Sequence, residues 1–245
     1  MKKICIVGIG NMGGAIAEFL NGKYEIVECR KTDDPNEKMA LCGTVIVAVK
    51  PQSFAEFAET VTIDLKDKLI ISIMAGVTIE NIRKKLGAVK IVRIFPNLPL
   101  KIGQALTIWK CGKDVSDEEK NFVQEILRNF GEEMEVGNEE DIAVLGALSA
   151  CGPAYFAYIA EQIKKSALQH GYSQGDAEKI AMETFAGSAN LMKRTGWTPE
   201  ELRAKITSKG GTTEAAIGYM ESKKIGEIFL EGIEAGIKRT KKLNG

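Results

Sequence analysis

Hydrophobic residues in the first half of this chain follow two alternating patterns. Short β-branched runs at residues 4–7, 24–28, 45–49, 69–73 and 91–94 are bounded by turn residues. They read as strands buried on both faces. Between them, residues 15–20, 54–61 and 79–86 space their apolar positions at the helical period. Repeated βα units predict a parallel sheet with helices on both faces. Residues 104–110 read as a further strand. Ser116-Asp117-Glu118-Glu119 then opens a helix with a capping box, and Phe122, Ile126 and Phe130 form its apolar face.

After about Gly137 the strand-like runs stop. Helices are expected from near Glu139, from near Ser173, from Thr198-Pro199-Glu200-Glu201, and as a final pair over 213–242. The expected organisation is a Rossmann-like α/β domain at 1–137 and an all-α domain at 138–245. About fourteen residues separate Arg30 from Val45. That is too few for a helix, a strand and a second helix, so one βα unit is expected to be shortened or lost.

Composition narrows the function. Lys and Arg together number 33, as do Asp and Glu, so no net field favours nucleic acid or an anionic membrane. The 5 cysteines include no CxxC pair, which suits free thiols in a reducing cytoplasm. His170 is the only histidine, which argues against a metal site and against a Ser–His or Cys–His relay. It reads as a surface residue near a helix end. The N-terminal apolar run is too short for a signal peptide. The stretch between Asp141 and Glu161 carries no charge and is long enough to span a bilayer, but Pro153 interrupts it. A buried helix in an oligomer is the preferred reading.

The chemistry starts at Gly8-Ile9-Gly10-Asn11-Met12-Gly13, between the first strand and the first helix. In that context Gly8 permits a tight turn, Gly10 lets a pyrophosphate approach the backbone, and Gly13 permits close helix–strand packing. The helix start then offers free N–H groups to phosphates. The second strand ends Glu28-Cys29-Arg30-Lys31-Thr32. Arg30, Lys31 and the Thr32 hydroxyl suit the 2′-phosphate of NADPH, whereas Glu28 stands where an NADH site places its ribose acid. NADPH is favoured, with NADH as the alternative.

Further segments, in order, resemble the pyrroline-5-carboxylate reductase family. They are Ala48-Val49-Lys50-Pro51, the run from Ile73 through Met74, Ala75 and Gly76 to Thr78, Arg93-Ile94-Phe95-Pro96-Asn97-Leu98-Pro99, Ser149-Ala150-Cys151-Gly152-Pro153-Ala154-Tyr155, and Ser208-Lys209-Gly210-Gly211-Thr212-Thr213. The resemblance implies hydride transfer from NAD(P)H to the C=N carbon of pyrroline-5-carboxylate, giving proline. It implies that Ala48–Pro51 lies along the cofactor and that Met74 and Ala75 lie near its nicotinamide end. It further implies that Ser208, the 210–211 glycines and the amides of Thr212 and Thr213 hold the substrate carboxylate. The Thr213 hydroxyl would face the ring nitrogen, and Glu139 would approach the same side. Two glycines before two threonines at a helix start also expose N–H donors to an anion, independently of the resemblance. The competing reading is that Thr212 and Thr213 only cap the helix.

The scarcity of histidine fits this chemistry. A ketone needs a proton donor for its developing alkoxide, but a cyclic imine can be protonated before hydride arrives. Departures from the family pattern are Lys209 for proline, Ala150 and Cys151 for Gly and Ser, Phe95 and Leu98 for Met and Thr, and Lys205 for an Asn that contacts cofactor in a relative. The segment lost between Arg30 and Val45 also puts in doubt an Asn contact to the 2′-phosphate. Gly146, Ala150, Ala154, Ala157 and Ala160 set small residues at near-helical spacing. They point to close helix packing in a dimer formed by the C-terminal helices, which the family extends to rings of dimers. Reduction of another cyclic imine, and a non-catalytic NADP-binding role, are the alternatives. A β-hydroxyacid dehydrogenase is disfavoured, because Phe156 stands where its lysine would be.

Overall fold

The computed structural model describes residues 2–242. Its first part runs β1 (Lys3–Val7), α1 (Asn11–Leu20), β2 (Glu25–Cys29), α2 (Pro35–Ala40), β3 (Thr44–Val47), α3 (Phe54–Thr60), β4 (Leu69–Ser72), α4 (Ile79–Leu86), β5 (Ile91–Phe95), β6 (Ala105–Cys111), α5 (Asp117–Phe130) and β7 (Gly131–Glu135). Five helices follow: α6 (Asp141–Gln169), α7 (Gln174–Thr195), α8 (Pro199–Ile206), α9 (Thr212–Ser222) and α10 (Ile225–Lys242). The capping box expected at Ser116 is formed, and the helix start expected at Thr198 carries one as well, with Glu119 and Glu201 reaching back.

The strands form one sheet in the order β2-β1-β3-β4-β5-β6-β7. Period-2 alternation sends Ile4 and Ile6 of β1 to one face with α1 and α5, and Cys5 and Val7 to the other with Met39, Phe54 and Ile82. Both faces are therefore dry, and the near-continuous apolar runs follow from that. Between β2 and β3 the only helix is the six-residue α2, and β2 is an edge strand. The expected loss of a βα unit is thus what the chain has.

Two features depart from the sequence reading. The sheet is not wholly parallel: β6 pairs antiparallel with β5, and β7 pairs parallel with β6. Only residues 96–104 join β5 to β6, and a parallel crossover needs about a dozen residues or more. The strand β7 was not expected at all. Its sequence, Gly-Glu-Glu-Met-Glu, lacks an apolar face, as an edge strand tolerates. Glu133 accepts a hydrogen bond from Trp109 Nε1 at 2.6 Å, and Glu135 pairs with Lys120 at 2.6 Å.

Helix α6 continues through Pro153. Proline has no N–H, so the Ser149 carbonyl loses its donor four residues on. Asn97 Nδ2 donates to that carbonyl at 3.2 Å, and Asn97 Oδ1 accepts from Leu106 N at 3.1 Å. Nearby, a β-carbon at Gly146 would run into the ring of Phe95. Glycine there lets the bulky Phe95 pack flat against the helix.

By packing the chain divides into two units. One runs to Pro153 and takes in the chain again from Ala235; the other is Ala154–Glu234. The second unit has little core of its own. Its described buried hydrophobic residues are Ala160, Ala177 and Ala181, while Phe156, Tyr158, Ile228 and Leu230 are all more than half exposed.

Candidate functional site

In an open α/β sheet, ligands bind beyond the strands' carboxyl ends where the strand order reverses. Here the chain moves from β1 to one side for β2 and to the other for β3. A cavity of about 490 Å³ lies at that point, lined by Gly8, Ile9, Gly10, Arg30, Lys31, Ala48, Val49 and Lys50 among others.

The glycines there divide their roles physically. Gly8 has φ +95°, and a β-carbon on it would sit 2.8 Å from the Ala48 carbonyl oxygen. A β-carbon on Gly13 would collide with the Gly8 carbonyl, so this residue permits α1 to rest on β1. Gly10 has no neighbour within 4 Å of a β-carbon position. Nothing within the first unit requires glycine there, whereas an incoming pyrophosphate would. Gly10 is also the N-cap of α1, with no side-chain cap and no acid in the first turn. The leading amides, starting at Asn11 and Met12, thus meet no competing carboxylate of their own helix. The residues fit a dinucleotide.

At the rim, Arg30 Nη2 donates to Glu28 Oε2 at 2.6 Å, and the Arg30 amide donates to Asp33 Oδ2 at 2.7 Å. Glu28 therefore neutralises part of the cation expected to receive a 2′-phosphate, while Lys31 stands exposed beside it. Asp33, Pro35, Ser53, Glu56, Phe57 and Thr60 also line the cavity; sequence reasoning missed them, since only folding of α2 and α3 brings them to β2. Asn11, Met12, Gly13, Thr32, Pro51, Met74 and Ala75 are not part of this lining. The Met74 side chain is buried in the core, and its backbone is engaged within the turn, N–H to Ser72 Oγ and carbonyl from Val77 N. The one Asn of the shortened segment, Asn36, is committed elsewhere: its Nδ2 donates to the Thr60 carbonyl at 2.9 Å and its Oδ1 accepts from Thr62 N at 2.7 Å.

Glu139 is also engaged. Its Oε1 accepts from Arg93 Nη1 at 2.6 Å and from the Ile79 amide at 2.7 Å. Ser72, beside Arg93 in the sheet register, accepts from Met74 N at 3.3 Å. Four of the 5 cysteines supply no activated thiolate: burial pushes Cys5 up to about 12 and Cys111 up to about 11, and raises Cys29 and Cys42. Among the described residues no cluster of His, Cys, Asp and Glu could hold a metal ion.

In the second unit, Ser208–Thr213 forms a glycine turn. Gly210 has φ +74°, and Gly211 N donates to the Ser208 carbonyl at 2.9 Å. Gly211, not a threonine, is the N-cap of α9, and no side chain caps it. The reading of Thr212 and Thr213 as mere caps therefore fails. Glu214 was missed by sequence reasoning: its Oε2 accepts from Gly210 N at 2.7 Å. Lys205 lies over the Trp197 ring at 4.5 Å, a cation–π contact with no counterpart for an asparagine.

The fold and the cavity define a dinucleotide-binding α/β protein with a helical C-terminal region. Residues 3–76 match a family model described as NADP oxidoreductase, coenzyme F420-dependent, and residues 139–243 match one described as pyrroline-5-carboxylate reductase dimerisation. The pyrroline-5-carboxylate reductase of Aquifex aeolicus (strain VF5) is 34% identical, over 98% of this chain and 97% of that one. Pyrroline-5-carboxylate reductase 2 of Bacillus subtilis (strain 168) is 30% identical, over 98% and 94%. Among solved structures, Plasmodium falciparum pyrroline carboxylate reductase with NADP bound superposes with a TM-score of 0.92 at 25% identity, covering 100% of this chain and 98% of the other. The Coxiella burnetii pyrroline-5-carboxylate reductase gives 0.83 at 30% identity, covering 99% and 98%. The chain belongs to the pyrroline-5-carboxylate reductase family.

Proposed function

We propose that the protein reduces 1-pyrroline-5-carboxylate to proline with NADPH. The observation that carries the reading is the uncapped, acid-free start of α1 beside an open Gly10, in a chain whose full length follows that of reductases so named. The cofactor, when bound, supplies hydride from its dihydronicotinamide ring. The imine nitrogen would already carry its proton as an iminium, so no residue of this chain need deliver an acid to the reacting atom. The chain's own work is to orient the two partners and to exclude water.

Arg30, Lys31 and Thr32 would receive a 2′-phosphate, and the two cations at the rim support NADPH over NADH. Glu28 limits that preference by holding Arg30, so NADH remains a usable second cofactor. Ala48, Val49, Lys50 and Pro51 would follow the cofactor, with the backbone of Met74 and Ala75 at its nicotinamide end. Ser208 and the amides of Thr212 and Thr213 would hold the substrate carboxylate in the glycine turn, with the Thr213 hydroxyl toward the ring nitrogen. Functionally the division stays at 137/138, which the start of the matched dimerisation region at residue 139 supports.

One described helix, α6, is long and apolar enough to cross a membrane. A second copy of the chain would cover that surface instead, making a dimer through the C-terminal helices and, with repetition, a ring of dimers. Neither membrane nor nucleic acid is a partner in this reading. Free cysteines support a cytoplasmic setting.

Oxidation of NADPH and NADH followed at 340 nm with pyrroline-5-carboxylate tests the function. Thr213→Ala is expected to lower turnover by about tenfold or more. Tight NADPH binding with no turnover of this imine would sink the reading and favour another imine or a non-catalytic role.

A further inference from the structure

A buried cation and a carboxylate from a distant segment meet beneath one turn of the dinucleotide-binding unit. On β5, period-2 alternation puts Arg93 on the same face as Ile91, a face whose core is apolar but for the neighbouring Ser72. Its side chain is 5% exposed and pairs with Glu139, itself 28% exposed. Burying such a pair is costly, and an apolar residue at 93 would commonly serve the core as well or better. The pair does something an apolar residue could not. Through the same oxygen, Glu139 holds the amide of Ile79, the first residue of α4. That amide is one of the unsatisfied donors at a helix start, where negative charge is favoured.

The turn thus secured runs from Ile73 to Thr78. Its far end is held by Ser72 Oγ, which accepts from Met74 N, and Gly76 between them has φ +79°. The turn is anchored at both ends and hinges on one glycine. Its place along the sheet matters. The cations of Arg30 and Lys31 follow β2 and the glycine loop follows β1. A dinucleotide entering over them must extend across the carboxyl ends of β3 and then β4, in the order of the sheet. The turn after β4 therefore meets the end of the cofactor opposite the adenosine.

We propose that Arg93 and Glu139 are positioning residues for the nicotinamide half: the ion pair fixes the 73–78 turn through the Ile79 amide, in place of a direct contact between Glu139 and substrate. This rests on the dinucleotide reading of the cavity but not on which imine is reduced.

The test compares wild type with Glu139→Ala, Glu139→Gln and Arg93→Lys in the full chain. Binding of NADPH, read by nicotinamide fluorescence, is set beside binding of 2′,5′-ADP, which carries only the adenosine half. Glu139→Ala is expected to weaken NADPH and quench its fluorescence gain by about fivefold or more while 2′,5′-ADP affinity stays within about twofold; kcat falls by about tenfold with KM for the imine little changed. Glu139→Gln, which can still accept from Ile79, recovers much of the loss. Arg93→Lys, which keeps a cation but loses the planar fork, falls between. Retained 2′,5′-ADP binding shows that each variant is folded. A raised KM for the imine with NADPH binding intact would overturn the proposal and return Glu139 to the substrate. Equal loss of both ligands would also overturn it, as a general structural role. Because NADPH fluorescence needs no imine, failure of the proline reading alone leaves this result interpretable.

Discussion

Gly146 lies against Phe95 where a β-carbon would overlap the ring. Two opposing effects act on Gly146→Ala. Helix propensity favours alanine by about 0.5–1 kcal/mol, whereas forcing a methyl into a filled contact costs about 1–3 kcal/mol. Overlap with a ring packed beside Ile108, Val136 and Ile142 should win, so the variant is expected to lose about 1–2 kcal/mol in urea unfolding. Adding Phe95→Leu should remove the penalty and leave the propensity gain. An additive pair of losses would show that the contact is not what requires glycine. In the sequence Gly146 reads only as one of several small residues on a helix, and Phe95 only as a departure from the family pattern. That one compensates the other is a fact of packing between residues about fifty apart.

Asn97 joins three elements. It supplies a donor to the Ser149 carbonyl of α6, accepts the amide of Leu106 in β6, and sits between them in the loop after β5. Ser149 Oγ completes the set by donating to the Leu106 carbonyl at 2.8 Å. Pro153 explains why an outside donor is needed at all. Asn97→Ala is expected to destabilise by about 1–3 kcal/mol, since it strands a part-buried amide and carbonyl. In a Pro153→Ala background the helix donates to Ser149 itself, and the cost of Asn97→Ala should shrink by about 1 kcal/mol. A urea double-mutant cycle measures this, and a coupling of zero would refute the link. Elements with strong patterns were legible in advance, including the capped helices α5 and α8 and the buried strands. The antiparallel direction of β6, itself expected as a strand, and the acidic edge β7 were not. Strand direction depends on connection length and docking, and an edge strand with three glutamates carries no apolar period to read.

The second unit, Ala154–Glu234, cannot be stable by its own core, because its described buried apolar residues are three alanines. Its exposed Phe156, Ile228 and Leu230 are apolar surface that dimerisation would cover. Ile228→Glu with Leu230→Glu is expected to convert a sedimenting dimer or larger ring into monomer and to speed proteolysis of α7 to α9. A wild-type chain that sediments as monomer at about 10 μM, well above the dissociation constant expected of an obligate dimer, would defeat the assembly reading. Substitutions in the dinucleotide unit, such as Asn97→Ala, should leave the sedimentation unchanged. The two sets of variants thereby separate assembly from local folding.

The amino-acid sequence alone was enough for the class of molecule. Alternation of period 2 and period 3.6, the Gly8–Gly13 loop, the shortened stretch after Arg30 and the glycine turn at 208–213 are local patterns. Local patterns report backbone preference and exposure directly. Tertiary structure decided what each polar group does once it is buried. It placed Asn97 at the proline gap and Glu139 on Arg93 and Ile79. The physical reason is that a buried donor or acceptor must be satisfied by whatever the fold brings within about 3 Å, and that neighbour is set by the chain's path rather than by its spacing along the sequence.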